Sequence, residues 1–418
     1  MLRQRGTPCN GRVAYAATRM AREDDDAQQT IVSSGLRLQA IVFCLVAASF
    51  TAVYITQPVL PVLQVEFGVS ETTASLTVSA VILGIALANL PFGVLADRYP
   101  IRPILLGGAA VVSAASLLCA ATKGIWLLIA ARFVQGLFIP SLTTCLAAYL
   151  ARSLPLARLN VVMGSYVSAT IAGSLGGRLL GGWIHPPLHW RYAFVTSAGL
   201  LIAAAAAAAR TLPREPAESV DATQRGIGFV HLLSRPDVLR VLVVAFSAFF
   251  VFSATFNYLP FYVSRPPINA PLNVVTLLYL AYVVGMVAGP LAGNLSNRLG
   301  SGATMAIGST VLAAAIACTL VPSLAVIAPS LPAICAGFFG VHAAALGTLN
   351  RRLTGSRGRA NSLYVLFYYL GGAAGISATG WAYSQRGWHG VVALAMAVLA
   401  VPLGVGLYEL SGQKRGRT

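Results

Sequence analysis

Long apolar blocks and short polar connections alternate along the whole chain. There are twelve apolar blocks, which lie at 36–64, 71–96, 103–122, 125–150, 160–183, 190–210, 238–263, 272–296, 302–321, 324–349, 360–383 and 389–410. A helix that crosses a bilayer needs about 20 residues, and the absence of backbone partners in lipid leaves helix as the form for such segments. The pattern therefore predicts an all-α membrane protein with twelve transmembrane helices.

One long polar connection divides the twelve segments into two sets of six. It covers residues 211–237 and contains prolines and charged side chains of both signs. We therefore expect an N-terminal six-helix bundle at 36–210, a cytoplasmic linker at 211–237 and a C-terminal six-helix bundle at 238–410.

The two ends of the chain are polar. Residues 1–35 contain few large apolar side chains and an acidic run at 23–26, and they lack the apolar core of a signal peptide. We therefore predict a disordered cytoplasmic tail at 1–35. Residues 411–418 are predicted to be a short cytoplasmic tail. Met1 and Met20 both remain open as the start of translation.

Basic residues indicate the orientation in the membrane. Of the 29 basic residues, four lie in the connections from odd to even segments, namely Lys123, Arg191, Arg265 and Arg386. Two more, Arg132 and Arg178, lie within segments, and the remaining 23 lie at the termini and in the other connections. Because cytoplasmic loops are enriched in basic residues, we expect both termini and the long linker in the cytoplasm.

Two motifs of the first half recur in the second. Residues 93–98, Gly-Val-Leu-Ala-Asp-Arg, return as Gly-Asn-Leu-Ser-Asn-Arg at residues 293–298. Tyr166, Gly173 and Gly177 recur with the same spacing as Tyr364, Gly371 and Gly375. Glycines at such positions let membrane helices approach closely, and duplicated six-helix halves are typical of transporters that work by alternating access. We expect these four glycines to pack helices.

Composition supports the membrane assignment and narrows the partners. Hydrophobic residues make up 57% of the chain and charged residues only 10%, against about 25% charged in a soluble domain. The net charge of +17 comes from basic residues between apolar blocks, so we expect a lipid bilayer as partner and no nucleic acid. The six cysteines are scattered without metal-ligand spacing, which predicts no metal site and no disulfide.

Three stretches of the first half resemble signatures of one family. The loop motif at residues 93–98 is similar to the cytoplasmic-loop signature of the major facilitator superfamily. Residues 132–136, Arg-Phe-Val-Gln-Gly, resemble a signature of its proton-coupled members. Residues 173–179 occupy the place of its antiporter motif, with Ser174 where that motif has proline. Together they resemble the drug/proton antiporter branch, in particular its YnfM-like, arabinose-efflux-permease-like transporters.

The resemblance implies a fold, a function and a location. It implies twelve helices in two six-helix pseudo-repeats and a proton-coupled exporter of small molecules that works by alternating access. The proton gradient is then the energy source, and no cofactor is expected. The expected partners are a small-molecule substrate and protons, and the protein is expected to be a monomer. The implied location is the bacterial inner membrane, with the chain crossing it many times.

The loop motif is a candidate for gating. Asp97, with Gly93 and Arg98 beside it, lies at the end of an apolar segment, where a carboxylate can cap a neighbouring helix and pair with an arginine. Such a contact would latch one state of the transporter. The alternative is a solvated charge that anchors the helix end.

Buried cations are candidates for coupling or substrate binding. Arg132 lies several residues inside the fourth segment beside Gln135 and Gly136, and a charge at that depth is costly unless it faces a cavity or a partner. Arg178 lies near the end of the fifth segment, so the choice between a functional buried cation and an arginine at the membrane surface is more ambiguous for it. No acidic residue lies in the middle of a segment, so His342 is a candidate proton carrier, with a hydrogen-bonded packing residue as the alternative.

Polar and aromatic side chains predict the lining of a substrate cavity. These are Tyr54, Gln57, Tyr166, Asn257, Tyr258, Tyr364 and Tyr368. The alternative for the tyrosines is an interfacial aromatic belt. A cavity with a buried cation and no buried acid would suit a neutral, amphipathic or anionic substrate better than a cation.

Other functions remain as alternatives. Uptake by proton symport or uniport is the second reading, because direction is barely encoded in sequence. A non-transporting receptor is expected to have a large extra domain, and a membrane enzyme needs a buried nucleophile and base or metal ligands. Neither pattern is present in the sequence, and we predict that the chain is not an enzyme.

Overall fold

The structure is a computed structural model that describes residues 36–154, 156–211, 228–353 and 357–415. The predicted tail at 1–35 and most of the predicted linker lie outside these ranges. All regular elements of the described chain are helices, fourteen of which are bounded as follows. The first half contains α1 (Leu36–Tyr54), α2 (Leu60–Phe67), α3 (Glu71–Arg98), α4 (Ile101–Ala121), α5 (Ile125–Leu142), α6 (Thr144–Ser153), α7 (Leu156–Ile184) and α8 (Arg191–Thr211). The second contains α9 (Phe229–Leu233), α10 (Pro236–Val263), α11 (Leu272–Leu278), α12 (Val283–Leu299), α13 (Ser301–Cys318) and α14 (Leu324–Arg352).

The last helical stretch, α15, covers Arg357–Arg415 and contains two predicted segments. It is interrupted at Gly387, whose φ of 55° lies in the left-handed region that glycine adopts without steric cost. Arg352, just before α15, pairs with Glu409 near its end, at 2.5 Å. The two arms of α15 therefore run antiparallel.

Ten helical stretches of the described chain are long and apolar enough to cross a membrane. The tenth is Gly358–Gly412, which contains both arms of α15. Helix α7 is not among the ten, since its many glycines and serines and the buried Arg178 lower its mean hydropathy. The all-helical class agrees with the prediction, whereas the count of twelve and the cytoplasmic position of the termini stay predictions.

Prolines interrupt two of the predicted continuous segments, which is a correction to the sequence analysis. The first segment, 36–64, is two helices, because α1 ends at Tyr54 and Pro58 has no N–H to continue the ladder. The fourth, 125–150, is divided at Thr143 into α5 and α6, three residues after Pro140. The eighth, 272–296, also changes form, with a short 3-10 turn at Tyr279–Tyr282 between α11 and α12.

The glycine pairs of the repeat lie at the same kind of helix contact in both halves. A Cβ at Gly173 or Gly177 of α7 would collide with the backbone of α1 at Ala47 and Thr51. In the second half, a Cβ at Gly371 or Gly375 of α15 would collide with the backbone of α10 at Phe246 and Phe250. Both halves therefore contain an equivalent helix crossing in which backbones touch.

The two halves meet along α3 with α15 and along α7 with α11 and α12. We call the end of the bundle that carries residues 93–98 and 293–298 the motif end, and the other the opposite end. Ser79 of α3 donates to the Ala373 carbonyl of α15 at 3.1 Å, and its hydroxyl lies 3.1 Å from that of Ser377. Gly380 lies against Thr72 closer still to the opposite end.

Substituting Gly177 with leucine tests the shared helix crossing. The side chain has no space against α1, so we expect a loss of stability of about 1–3 kcal/mol or more, from overpacking. The measurement is the unfolding temperature of the purified protein in detergent.

The matched control is Gly164→Leu on the same helix, because a Cβ there meets no described atom within 4 Å. It should unfold at the wild-type temperature. Equal unfolding temperatures for the two variants would contradict the packing role of Gly177.

Candidate functional site

A cavity of about 560 Å³ lies between the two halves. It is lined by α1, α3, α5, α6 and α7 from the first half and by α10, α14 and α15 from the second. Arg178 and Tyr282 lie at its floor, on the side of the opposite end. The lining extends to Asn361 and Ser362 in the first turns of α15, toward the motif end.

The floor of the cavity is a guanidinium group surrounded by tyrosines. Arg178 donates from Nε to Gln57 Oε1 at 2.7 Å and from Nη2 to Tyr282 Oη at 3.0 Å. Its remaining described bond goes from Nη1 to the Ser174 carbonyl at 2.7 Å. The rings of Tyr54 and Tyr282 lie 4.0 and 4.1 Å from its Cζ, which is cation–π distance.

Arg178 has no ionic partner within the described ranges. It is 2% exposed, and it is the lining residue that carries a permanent charge. The electrostatic balance of the cavity is therefore positive. Because Gln57 belongs to the first half and Tyr282 to the second, the same group also joins the halves.

His342 lies higher in the cavity wall, on α14. Its Nδ1 lies 2.9 Å from Tyr364 Oη, and this hydroxyl also lies 3.3 Å from the His342 carbonyl. The imidazole is parallel to the Phe338 ring, with 5.9 Å between centroids. His342 is thus a hydrogen-bonded residue that lines the cavity, and its role in proton coupling stays a prediction.

Two stacked aromatic pairs form the second half's side of the cavity. Phe249 and Tyr368 have centroids 3.8 Å apart at 10°, and Phe252 and Phe338 have centroids 3.9 Å apart at 14°. All four side chains line the cavity. The wall of the second half is therefore aromatic; Phe249, Phe252 and Phe338 are buried in it, and Tyr368 is partly buried.

Arg132 lies outside the cavity lining and binds the end of α1. Its Nε donates to the Thr77 carbonyl at 2.9 Å, its Nη1 to the Ala52 carbonyl at 2.5 Å, and its Nη2 to the Val53 carbonyl. It is fully buried. A role for Arg132 in substrate binding or coupling stays a prediction, and in this geometry it stabilises the backbone.

The break in α1 explains these bonds. In a continuous helix the Val53 carbonyl would accept from the N–H of Gln57, but that N–H bonds the Tyr54 carbonyl at 3.1 Å. Arg132 supplies the missing donors. Gln135 holds it from the other side, accepting from Nη1 at 2.7 Å.

Gly136 and Gln135 position Arg132 rather than line the cavity. A Cβ at Gly136 would collide with the backbone of Val81, so α3 and α5 touch there. Gln135 Nε2 donates to Ser116 Oγ of α4 at 2.6 Å. The residues of the predicted signature thus connect four helices of the first half.

The loop motif lies at the end of α3, as its sequence position predicts. Arg98 is exposed, and a Cβ at Gly93 would meet no described atom within 4 Å. The side chain of Asp97 lies outside what the structure describes, so its latch role stays a prediction. Nearby, Arg152 Nη2 donates to the Ala96 carbonyl at 2.6 Å.

Most predicted cavity residues do line the cavity, and two do not. Those that do are Tyr54, Gln57, Tyr166, Tyr364 and Tyr368. Tyr258 is buried nearer the opposite end and donates to the Ile376 carbonyl at 3.0 Å. Asn257 is also fully buried, and its amide has no hydrogen-bond partner among the described residues.

Sequence reasoning missed two groups of cavity-lining residues, the phenylalanines of the second half and polar residues of the first half. Phe249, Phe338 and Asn89 line the cavity, yet nothing in their local sequence separates them from packing residues. Arg178 was ambiguous because a lone arginine near a helix end can extend to the membrane surface. Only its tyrosine neighbours, distant in sequence, indicate a buried site.

An ion pair joins the halves at the opposite end. Arg265, which follows α10, pairs with Glu71 at the start of α3. Within the first half, Glu66 accepts from Trp190 and, at 2.6 Å, from Arg191. Burial alone would raise the pKa of Glu66, but these two hydrogen bonds outweigh it and lower that pKa below its ordinary value.

The fold and cavity define a class, a helical membrane protein with a ligand-sized chamber between two related halves. The sequence profile of the Major Facilitator Superfamily matches residues 42–376. The chain belongs to this superfamily. Membership confirms the predicted family, a multi-pass membrane transporter rather than an enzyme.

Individual relatives agree with this assignment. The chain is 28% identical to the inner membrane transport protein YnfM of Escherichia coli (strain K12) over 376 residues, 89% of this chain and 90% of that protein. It is 26% identical to the MFS-type transporter YybF of Bacillus subtilis (strain 168), covering 87% and 91%. A Mycobacterium tuberculosis multidrug resistance protein B homolog is 32% identical over 163 residues, 39% of this chain and 30% of that protein.

A solved structure supports the fold. A bacterial homolog to the human lysosomal transporter Spinster, in an inward-facing and occupied conformation, superposes with a TM-score of 0.70 at 16% identity. The superposition covers 92% of this chain and 97% of that one.

Replacing Arg132 with methionine tests whether this residue supports the backbone or the transport chemistry. The carbonyls of Ala52 and Val53 lose their donor, at about 1–3 kcal/mol for each buried acceptor left unpaired. We expect a lower unfolding temperature in detergent, with Arg132→Lys losing less because one donor group remains. A stable Arg132→Met protein that binds substrate but no longer transports it would contradict the supporting role and favour coupling.

Proposed function

We propose that this transporter is a proton-coupled exporter of small molecules that works by alternating access in the bacterial inner membrane. Its twelve spans form two halves of six, with both termini in the cytoplasm. Substrate enters the cavity from the motif end and leaves at the opposite end after the halves rock. The multidrug resistance relative, though it matches only part of the chain, supports export as the direction.

The position of the closed contacts supports alternating access most directly. Between the cavity floor and the opposite end, the halves are joined by Arg265 with Glu71, by Ser79 with Ser377, and by the contact of Gly380 with the Thr72 side chain. The cavity extends from that region toward the motif end. A rocking motion that opens the opposite end has to break these contacts and form others at the motif end.

The polar nature of these contacts makes such a change feasible. An exposed ion pair contributes only about 0–1 kcal/mol, and serine hydroxyls can exchange their partners with water. Each contact is therefore weak enough to break in a transport cycle. Asp97 with Arg98 is the proposed latch that replaces them when the motif end closes.

Coupling to protons requires a group that changes protonation during the cycle. His342 is the proposed carrier because it lines the cavity and because its Nδ1 interacts with the Tyr364 hydroxyl at 2.9 Å. Asp97 is the competing carrier at the motif end. Uptake by proton symport or uniport is the second candidate function, and Ser174 in place of the proline of the antiporter motif favours it.

Flux into proteoliposomes with an imposed pH gradient tests coupling and direction together. A panel of dyes, antibiotics and sugars should contain compounds whose export accelerates when protons flow inward. We expect His342→Ala to lose the dependence on the pH gradient while Asp97→Asn lowers the rate in protein that inserts normally. Unchanged pH dependence in His342→Ala would exclude His342 as carrier, and wild-type rates in Asp97→Asn would exclude the latch.

Reversing the charges of the ion pair tests the closed end. Glu71→Arg alone places two cations together and should favour opening at the opposite end, seen as faster alkylation of a cysteine placed at the cavity floor. The double variant Glu71→Arg with Arg265→Glu should restore slow alkylation. Glu71→Arg with Arg386→Glu, which changes another connection at this end, has the same net charge as that double variant and should not restore slow alkylation. No difference between the single and double variants would contradict a gating role for the pair.

A further inference from the structure

The cavity combines one permanent positive charge with a wall of aromatic rings. Arg178 is the charged lining residue, and no acidic side chain lies among the lining residues that the structure describes. A buried charge without a counter-ion is costly in a low-dielectric environment. A bound anion would offset this cost, whereas a bound cation would add repulsion to it.

The guanidinium group lies against two aromatic rings. Its Cζ is 4.0 Å from the ring centroid of Tyr54 and 4.1 Å from that of Tyr282, which is cation–π distance. The described hydrogen bonds use one N–H on each of the three nitrogens, and a guanidinium has five. Tyr54 is a further hydrogen-bond partner of Arg178. A planar carboxylate, which matches paired guanidinium donors best, therefore takes a remaining N–H and has to displace one tyrosine hydroxyl for the second.

The single charge also sets the charge of the ligand. One carboxylate with Arg178 gives a neutral complex inside the membrane, whereas a dianion would leave one uncompensated negative charge at the same depth. The stacked pairs of Phe249 with Tyr368 and Phe252 with Phe338 offer flat apolar contact for the rest of the molecule. A cavity of about 560 Å³ has the size of a site for a drug-sized ligand.

The geometry points to a binding site for aromatic monocarboxylates, in which the carboxylate binds Arg178 and the ring lies against Phe249 and Phe338. This assignment rests on the proposed function, since it names the substrate class of that transporter. For its second oxygen the carboxylate competes with a tyrosine hydroxyl, that of Tyr54 or of Tyr282.

Binding to the purified protein in detergent tests the assignment with three probes of nearly equal shape. Naphthylacetate is the carboxylate, naphthylacetamide the neutral isostere and naphthylmethylammonium the cation, each titrated by calorimetry. We expect naphthylacetate to bind at least about tenfold more tightly than the other two, as a charge-assisted bidentate pair would give. Equal or weaker binding of the carboxylate by the wild-type protein would overturn the proposal.

Variants assign the preference to Arg178. Arg178→Gln should lose the preference for naphthylacetate over naphthylacetamide while its affinity for the amide stays within about threefold, because the aromatic wall is unchanged. Arg210→Gln removes the same charge at an exposed position and should keep the preference. A preference that persists in Arg178→Gln would overturn the assignment. If that variant is not recovered folded, the comparison of the three probes on the wild-type protein decides alone.

Flux separates this inference from the proposed function. Naphthylacetate that binds through Arg178 but shows no flux driven by the pH gradient would leave the site standing and contradict proton-coupled export. Flux of naphthylacetamide or naphthylmethylammonium driven by the pH gradient would support the proposed exporter. If binding then showed no preference for naphthylacetate, the carboxylate site would be overturned.

Discussion

The interruption of α1 between Tyr54 and Leu60 determines where two buried arginines find their partners. The carbonyls that the break leaves free accept from Arg132, and the side chain of Gln57 inside the break accepts from Arg178. A guanidinium group at this depth is costly unless its donors and its charge find partners. The donors of Arg132 bond backbone carbonyls and Gln135. Arg178 bonds Gln57 and Tyr282 and keeps a charge without a counter-ion among the described residues. One helix break therefore gives the first half its rigidity and the cavity its charge.

The duplicated halves share their packing and differ in their chemistry. Paired glycines bring α7 onto α1 and α15 onto α10 in the same manner, which fixes two equivalent helix crossings. The charged features are not duplicated, since Asn297 replaces Asp97 in the second loop motif and Arg178 corresponds to Ile376 in the second half. The second half instead supplies His342 and the aromatic wall. The two halves thus have equivalent helix crossings but different charged residues. This arrangement suits two rigid halves that rock around one asymmetric site.

The sequence predicted what depends on hydrophobicity and on repeats. The length of the apolar segments predicted the helical class, and the repeated glycine spacing at Gly173 and Gly371 indicated two related halves. It could not predict that the carbonyls left free by the break at Pro58 accept hydrogen bonds from Arg132, because the residues that meet there are about 80 apart in sequence. For the same reason Asn257 was placed in the cavity, although it lies buried beside it, and Phe249 was overlooked. Polarity identifies candidate residues, whereas only the packing of distant helices determines which ones share a chamber.

The most direct test of the account is a pair of distances measured by double electron–electron resonance in a cysteine-free background. One pair of spin labels, at the exposed positions Tyr99 and Leu299, spans the motif end, and the other, at Leu188 and Val321, spans the opposite end. When transported substrate is added under a pH gradient, the motif-end distance should shorten while the opposite-end distance lengthens. Distances that stay fixed, or that change in the same direction at both ends, would contradict alternating access around the Arg178 cavity.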